Sequence, residues 1–94
     1  MQIIVRLFAT YRSLVGERQL DLDVPVDTSV LAAIENLMEQ YPHLRPHWFN
    51  QAGEIMPHLF VILNKQDVTS LPDGLNTKLK EGDELDFVPP VGGG

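Results

Sequence analysis

The 94-residue chain has no cysteine. That excludes disulfides, zinc–thiolate sites and a cysteine nucleophile. Long apolar runs are missing as well, and nothing approaches the ~20 residues that a membrane-spanning helix needs. The N-terminus has no basic start followed by an apolar stretch, so no export signal is expected and the expected location is cytoplasmic. Basic residues are few: seven Lys and Arg stand against thirteen Asp and Glu, a formal charge of −6. That balance would repel a phosphate backbone and argues against nucleic acid as a partner. It either attracts a basic protein partner or only keeps the chain soluble, and composition leaves both open.

What is present suits one small folded domain. Apolar residues make up 44% of the chain and charged residues 21%, outside the range of disordered chains. A chain of this size buries about 60% of its unfolded surface, enough for one modest core.

Residues 2–9, QIIVRLFA, alternate as a strand, with Ile3, Val5 and Leu7 on one face and Ile4, Arg6 and Phe8 on the other. YRSLVGER follows and reads as a turn in which Gly16 takes positive φ. The run Gln19–Val24 alternates most clearly, with Leu20, Leu22 and Val24 inward. Pro25 ends this strand or places it near an edge. Val30, Leu31, Ile34, Leu37, Met38 and Tyr41 then recur at three- and four-residue spacing, the stripe of an amphipathic helix. Asp27 or Thr28 is the expected cap, and Pro42 the stop.

Residues 42–57 hold three prolines and no period, so a loop with at most one helical turn is expected. A mostly apolar strand over 58–64 should lie centrally. Residues 64–67 read as a turn, and Val68 begins a short segment. Glu84–Val88 is the last strand, with Leu85 and Phe87 inward. The pattern therefore gives an α+β fold, one main helix across one face of a mixed sheet.

The chain ends in Pro89-Pro90-Val91-Gly92-Gly93-Gly94. The two prolines lack the N–H that a ladder needs, so the chain leaves the sheet there. Three glycines form the slimmest and most flexible tail possible. It can enter a narrow active site and present one reactive group, the α-carboxylate of Gly94. A carboxylate is a poor electrophile. ATP converts it to an acyl adenylate, and sulfur can then displace AMP to give a thiocarboxylate. None of this needs a catalytic side chain in the carrier. The alternative is a frayed end without function.

Other signals carry less. His43, His47 and His58 match no ligand spacing, and solvated loop histidines are the simpler reading. Trp48-Phe49 reads as a loop anchor against the core. Asp83-Glu84 sits in a turn signature rather than an acid/base pair. The acids of Glu81–Asp86 either attract a basic activating enzyme or form a solvated surface. The glycines are not a phosphate loop, because neither a helix nor a lysine follows them.

The ending EGDELDFVPPVGGG resembles the C-terminus of the molybdopterin-synthase small subunit and related ubiquitin-like sulfur carriers. The matches are Gly82, Asp83 and Glu84, then Pro89, Pro90 and Val91, then Gly93 and Gly94. VRLFATYRSLVGE is similar to that family's first strand and turn, through Phe8, Ala9, Arg12, Leu14 and Gly16, and Asn64 is in register in ILNKQDV. The chain departs from the pattern at Gly92 and in the long 42–57 segment.

The resemblance implies a ubiquitin-like β-grasp domain over 1–88 and a flexible tail over 89–94. It implies no bound cofactor and no enzyme activity of the chain's own. An E1-like adenylating enzyme would use ATP on Gly94, a sulfurtransferase system would install sulfur, and Gly92 and Gly93 would give the tail its reach. The large subunit of molybdopterin synthase would receive it; a protein modifier, or a carrier for thiamine or amino-acid biosynthesis, is the alternative. By alternation the uncovered sheet face should display Ile4, Arg6, Phe8, Phe60, Ile62, Asp86 and Val88; the expected partner contacts are Arg6, Phe8, Ile62 and Val88, with Pro89, Pro90 and Val91 at the root of the tail. The competing expectation is that Ile4, Phe8 and Ile62 pack beneath the 42–57 segment.

Overall fold

The computed structural model describes residues 1–90. Five strands form one sheet: β1 (Gln2–Leu7), β2 (Gln19–Asp23), β3 (Phe60–Leu63), β4 (Gln66–Asp67) and β5 (Glu84–Val88). Their spatial order is β2-β1-β5-β3-β4. β1 and β5 pair in parallel at the centre, and the other pairings are antiparallel. This is the expected ubiquitin-like β-grasp. The parallel pair joins the first strand to the last, so residues eighty positions apart share one ladder, as Val5 does with Leu85.

Register follows from alternation. Ile3, Val5 and Leu7 meet Leu22, Leu85 and Phe87 on one face, all nearly inaccessible. A one-residue slip would put every one of them in water. Helix α2 (Val30–Gln40) crosses this face and buries Val30, Ala33, Ile34, Leu37 and Met38. Its cap differs from the expectation. Ser29 is the N-cap, and its hydroxyl accepts from Ala32 N–H at 3.1 Å. Asp27 lies instead at φ 68°, and the Thr28 hydroxyl donates to the Pro25 carbonyl at 2.6 Å. Both residues serve the turn before the helix.

Three further segments differ from the sequence reading. YRSLVGER is more than a turn: Thr10–Val15 form a short helix, α1, closed by Gly16 at φ 89°. The 42–57 loop is largely ordered. Pro42–Leu44 make a 3-10 turn, Arg45–Trp48 form a four-residue helix, α3, and Phe49 bridges to Ile55. Lastly, Gln66–Asp67 is strand β4 rather than turn, and Val68–Ser70 form a 3-10 turn capped by the Asp67 side chain.

Trp48 explains the order of the 42–57 segment. It is fully buried, stacks on Phe87 at 4.5 Å between centroids, and meets Tyr11 edge-on at 5.3 Å. Burying a side chain of this size contributes several kcal/mol, more than a short loop loses by being ordered at one point. The expected loop anchor is therefore correct, and it also fixes α1 through Tyr11.

Candidate functional site

The face of the sheet away from α2 carries the expected docking residues. Register sets them in rows. Gln19, Arg6, Asp86, Ile62 and Asp67 lie side by side across the five strands, with Asp21, Ile4 and Glu84 in the next row. Val88 and Phe60 are paired at the end where the chain leaves the sheet, and Phe8 N–H donates to the Phe87 carbonyl beside them.

Phe8 and Phe60 are the most open large residues here, at 41% and 44% exposed. Ile62 and Val88 are half-buried. The 42–57 segment does not cover them. It puts Leu44, Trp48 and Phe49 into the core on the α2 side, so the competing expectation of burial beneath that segment fails.

Arg6 is placed as expected but is not free. Its guanidinium donates to Glu84 and, at 3.5 Å, to Asp86, while its Nε donates to Gln19 Oε1 at 3.2 Å. The Arg6 bond holds the Glu84 carboxyl below the ordinary carboxylate value, and the same bond raises Arg6. Asn64 locks the adjoining end of β5. At φ 48°, it donates from Nδ2 to Asp83 at 3.0 Å and accepts Glu84 N–H at 3.0 Å. Asp83 also accepts Lys80 N–H, as its turn signature implied.

The tail root lies at the opposite end of β5. Pro89 is half-buried and Pro90 exposed, beside a concavity of about 360 Å³ lined with them by Ala9, Thr10, Tyr11, His47 and His58. Burial pushes the Tyr11 phenol up. His58 Nε2 lies 3.3 Å from the His47 carbonyl. Among the described residues no cluster of three or more His, Asp or Glu could hold a metal ion. Val91, Gly92, Gly93 and Gly94, the remaining site residues read from the sequence, lie outside the described residues.

Arg12 and Arg18 are the residues beside this face that the sequence reading does not assign to the site. Alternation placed Phe60 on the open face, and its exposure is what distinguishes it. The arginines had a weak signal: three of the chain's four arginines fall within its first eighteen residues.

With this geometry in place, comparison with known proteins decides the family. The model of the ThiS family matches residues 5–94. The chain belongs to the ThiS family. Its members are ubiquitin-like sulfur carriers and modifiers. Small archaeal modifier protein 3 of Haloferax volcanii is 35% identical over 94 residues, the whole of both chains. A crystal structure of small archaeal modifier protein 1 from Haloferax volcanii is similar at a TM-score of 0.89 and 31% identity, again over 100% of each chain. A Pyrococcus furiosus structure described as a candidate molybdopterin converting factor subunit 1 reaches a TM-score of 0.76 at 20% identity, covering 97% of this chain and 99% of its own. At that identity the likeness shows the fold alone. The ThiS-family sheet thus brings its first and last strands together at its centre, and no helix of the described residues is long and apolar enough to cross a membrane.

Proposed function

We propose that this ThiS-family chain is a carrier activated at the α-carboxylate of Gly94. An E1-like enzyme adenylates that carboxylate with release of pyrophosphate. A sulfur nucleophile supplied by a sulfurtransferase system, or the amine of a target lysine, then displaces AMP. The products are a thiocarboxylate or an isopeptide. The chain supplies a rigid domain, an open docking face and a slim tail, and the activating enzyme supplies the catalytic groups.

One observation carries this reading. A relative named as a modifier aligns with the chain end to end through Gly94, while Pro89 and Pro90 direct the chain out of the central strand β5. That relative also favours protein lysines as one destination. The PPVGGG ending favours a second destination, the large subunit of molybdopterin synthase, to which the loaded tail would deliver sulfur for molybdenum cofactor biosynthesis.

Purification of the tagged chain from its own organism separates the two. Lysine-linked conjugates that disappear when Gly94 is deleted support the modifier. A stable complex with a large pterin-binding subunit, without conjugates, supports the synthase. Neither product from the wild type would remove both readings.

A further inference from the structure

Arg12 and Arg18 line a second concavity, of about 370 Å³, together with Arg6, Leu7, Phe8 and Gln19. It concentrates three of the seven basic residues of a chain whose formal charge is −6. The three arginines differ in state. Arg6 is held by Glu84, Asp86 and Gln19 and forms a neutralised wall. Arg12 and Arg18 are exposed and make no side-chain hydrogen bond or ion pair among the described residues.

Backbone hydrogen bonds and packing place the two residues. Arg18 offers its carbonyl to Leu7 N–H at 2.8 Å, which fixes it to the end of β1. Arg12 sits in α1, which Tyr11 anchors in the core and Gly16 closes. Two arginine side chains without a partner among the described residues are therefore rooted beside one concavity, next to an exposed phenylalanine.

We propose that this concavity is a binding site for an acidic segment of a partner protein, its carboxylates received by Arg12 and Arg18 and an apolar neighbour received by Phe8. Arginine forks match carboxylates in pairs. Arginine beside an aromatic ring is also the composition of interface centres rather than of solvated surface. The acidic remainder of the chain opposes long polyanions, so a local pair of carboxylates on a folded protein fits better than a nucleic-acid backbone. Through Phe8 the site is continuous with the residues that surround the tail root. A partner held there would be positioned next to the emerging tail.

The test titrates the full-length protein at low salt with a synthetic peptide of glutamate pairs spaced by leucines, followed by NMR. The proposal predicts saturable shifts concentrated at the Arg12 and Arg18 Nε–H groups and the Phe8 amide. Arg12→Glu with Arg18→Glu should weaken the peptide at least tenfold. Lys78→Glu with Lys80→Glu makes the same change in net charge away from the concavity, and should weaken it less than about threefold. Four results would overturn the proposal: shifts scattered over the surface, equal losses in the two double variants, saturation by inorganic phosphate at the peptide's concentration, or tighter binding of a thymidine octamer. None of these readouts involves activation of Gly94, so failure here leaves the carrier chemistry standing, and failure of that chemistry leaves this site standing.

Discussion

Ala9 is the most unusual residue of the backbone. At φ 52° and ψ −123°, with Tyr11 N–H donating to the Phe8 carbonyl at 3.1 Å, it has the geometry of the first central position of a type II′ turn, where glycine is preferred. Such strain costs on the order of 1–3 kcal/mol, and glycine's extra unfolded-state entropy returns about half to one. Ala9→Gly is therefore expected to stabilise the fold by about 1 kcal/mol, read as a higher urea midpoint at unchanged slope. A lower midpoint would mean the alanine is not strained. Nothing in VRLFATYRS announced this turn, because alanine is a poor sequence marker for positive φ.

Glu84 also acts at the residue scale. Its pKa is lowered chiefly by the Arg6 hydrogen bond, so it stabilises the fold above the ordinary value of 4.5, and that contribution is lost as the pH falls below it. Asp67 behaves alike below 3.8, through its bonds from Thr69 N–H and Oγ1. Arg6→Met should flatten the acid limb that Glu84 contributes and leave that of Asp67. Urea midpoints measured across the acid range check this. An unchanged limb in the variant would show that the ion pair does not couple to folding.

Elements were legible in proportion to their length. β1, β2, β5 and α2 each carry enough alternation or three-and-four spacing to be read directly from the side chains. α1 looks like a turn in the sequence because six residues with one buried side chain, Tyr11, cannot display a period. The 42–57 segment looked irregular because its order comes from tertiary packing of Leu44, Trp48 and Phe49 rather than from local propensity. Trp48→Ala should thus cost ~3–5 kcal/mol, a large part of the ~5–15 kcal/mol typical of a domain. Trp48→Phe should cost well under half as much, since it keeps the stack on Phe87 and removes a buried Nε1 without a hydrogen-bond partner. Denaturation followed by far-ultraviolet circular dichroism decides. Equal costs for the two variants would show that the ring stack contributes little.

For the whole molecule, the consequence of the fold is polarity. One face is closed by α2 and the 42–57 segment, and the other stays open. β5, the last strand, lies at the sheet's centre beside the first. The tail thus starts at the end of a central strand, beside Phe8 and Phe60. The open face could be read from alternation alone. Its freedom could not, since only the structure shows which side the 42–57 segment takes. Phe8→Ala should leave unfolding unchanged within about 0.5 kcal/mol and weaken the activating enzyme's affinity roughly tenfold by calorimetry. Equal affinity of variant and wild type would remove Phe8 from the docking face.

The central claim concerns Gly94, and the missing cysteines make it directly measurable. The chain is incubated with the adenylating enzyme of its own genome, ATP and a sulfur donor, then alkylated with a thiol-selective reagent and fragmented as an intact protein. Fragments must place the label, because oxidation of Met1, Met38 or Met56 adds nearly the mass gained when sulfur replaces oxygen. The account predicts ATP-dependent label on Gly94 alone, lost on deletion of Gly93-Gly94. No label with that enzyme, shown active by pyrophosphate exchange, would contradict the sulfur-carrier chemistry.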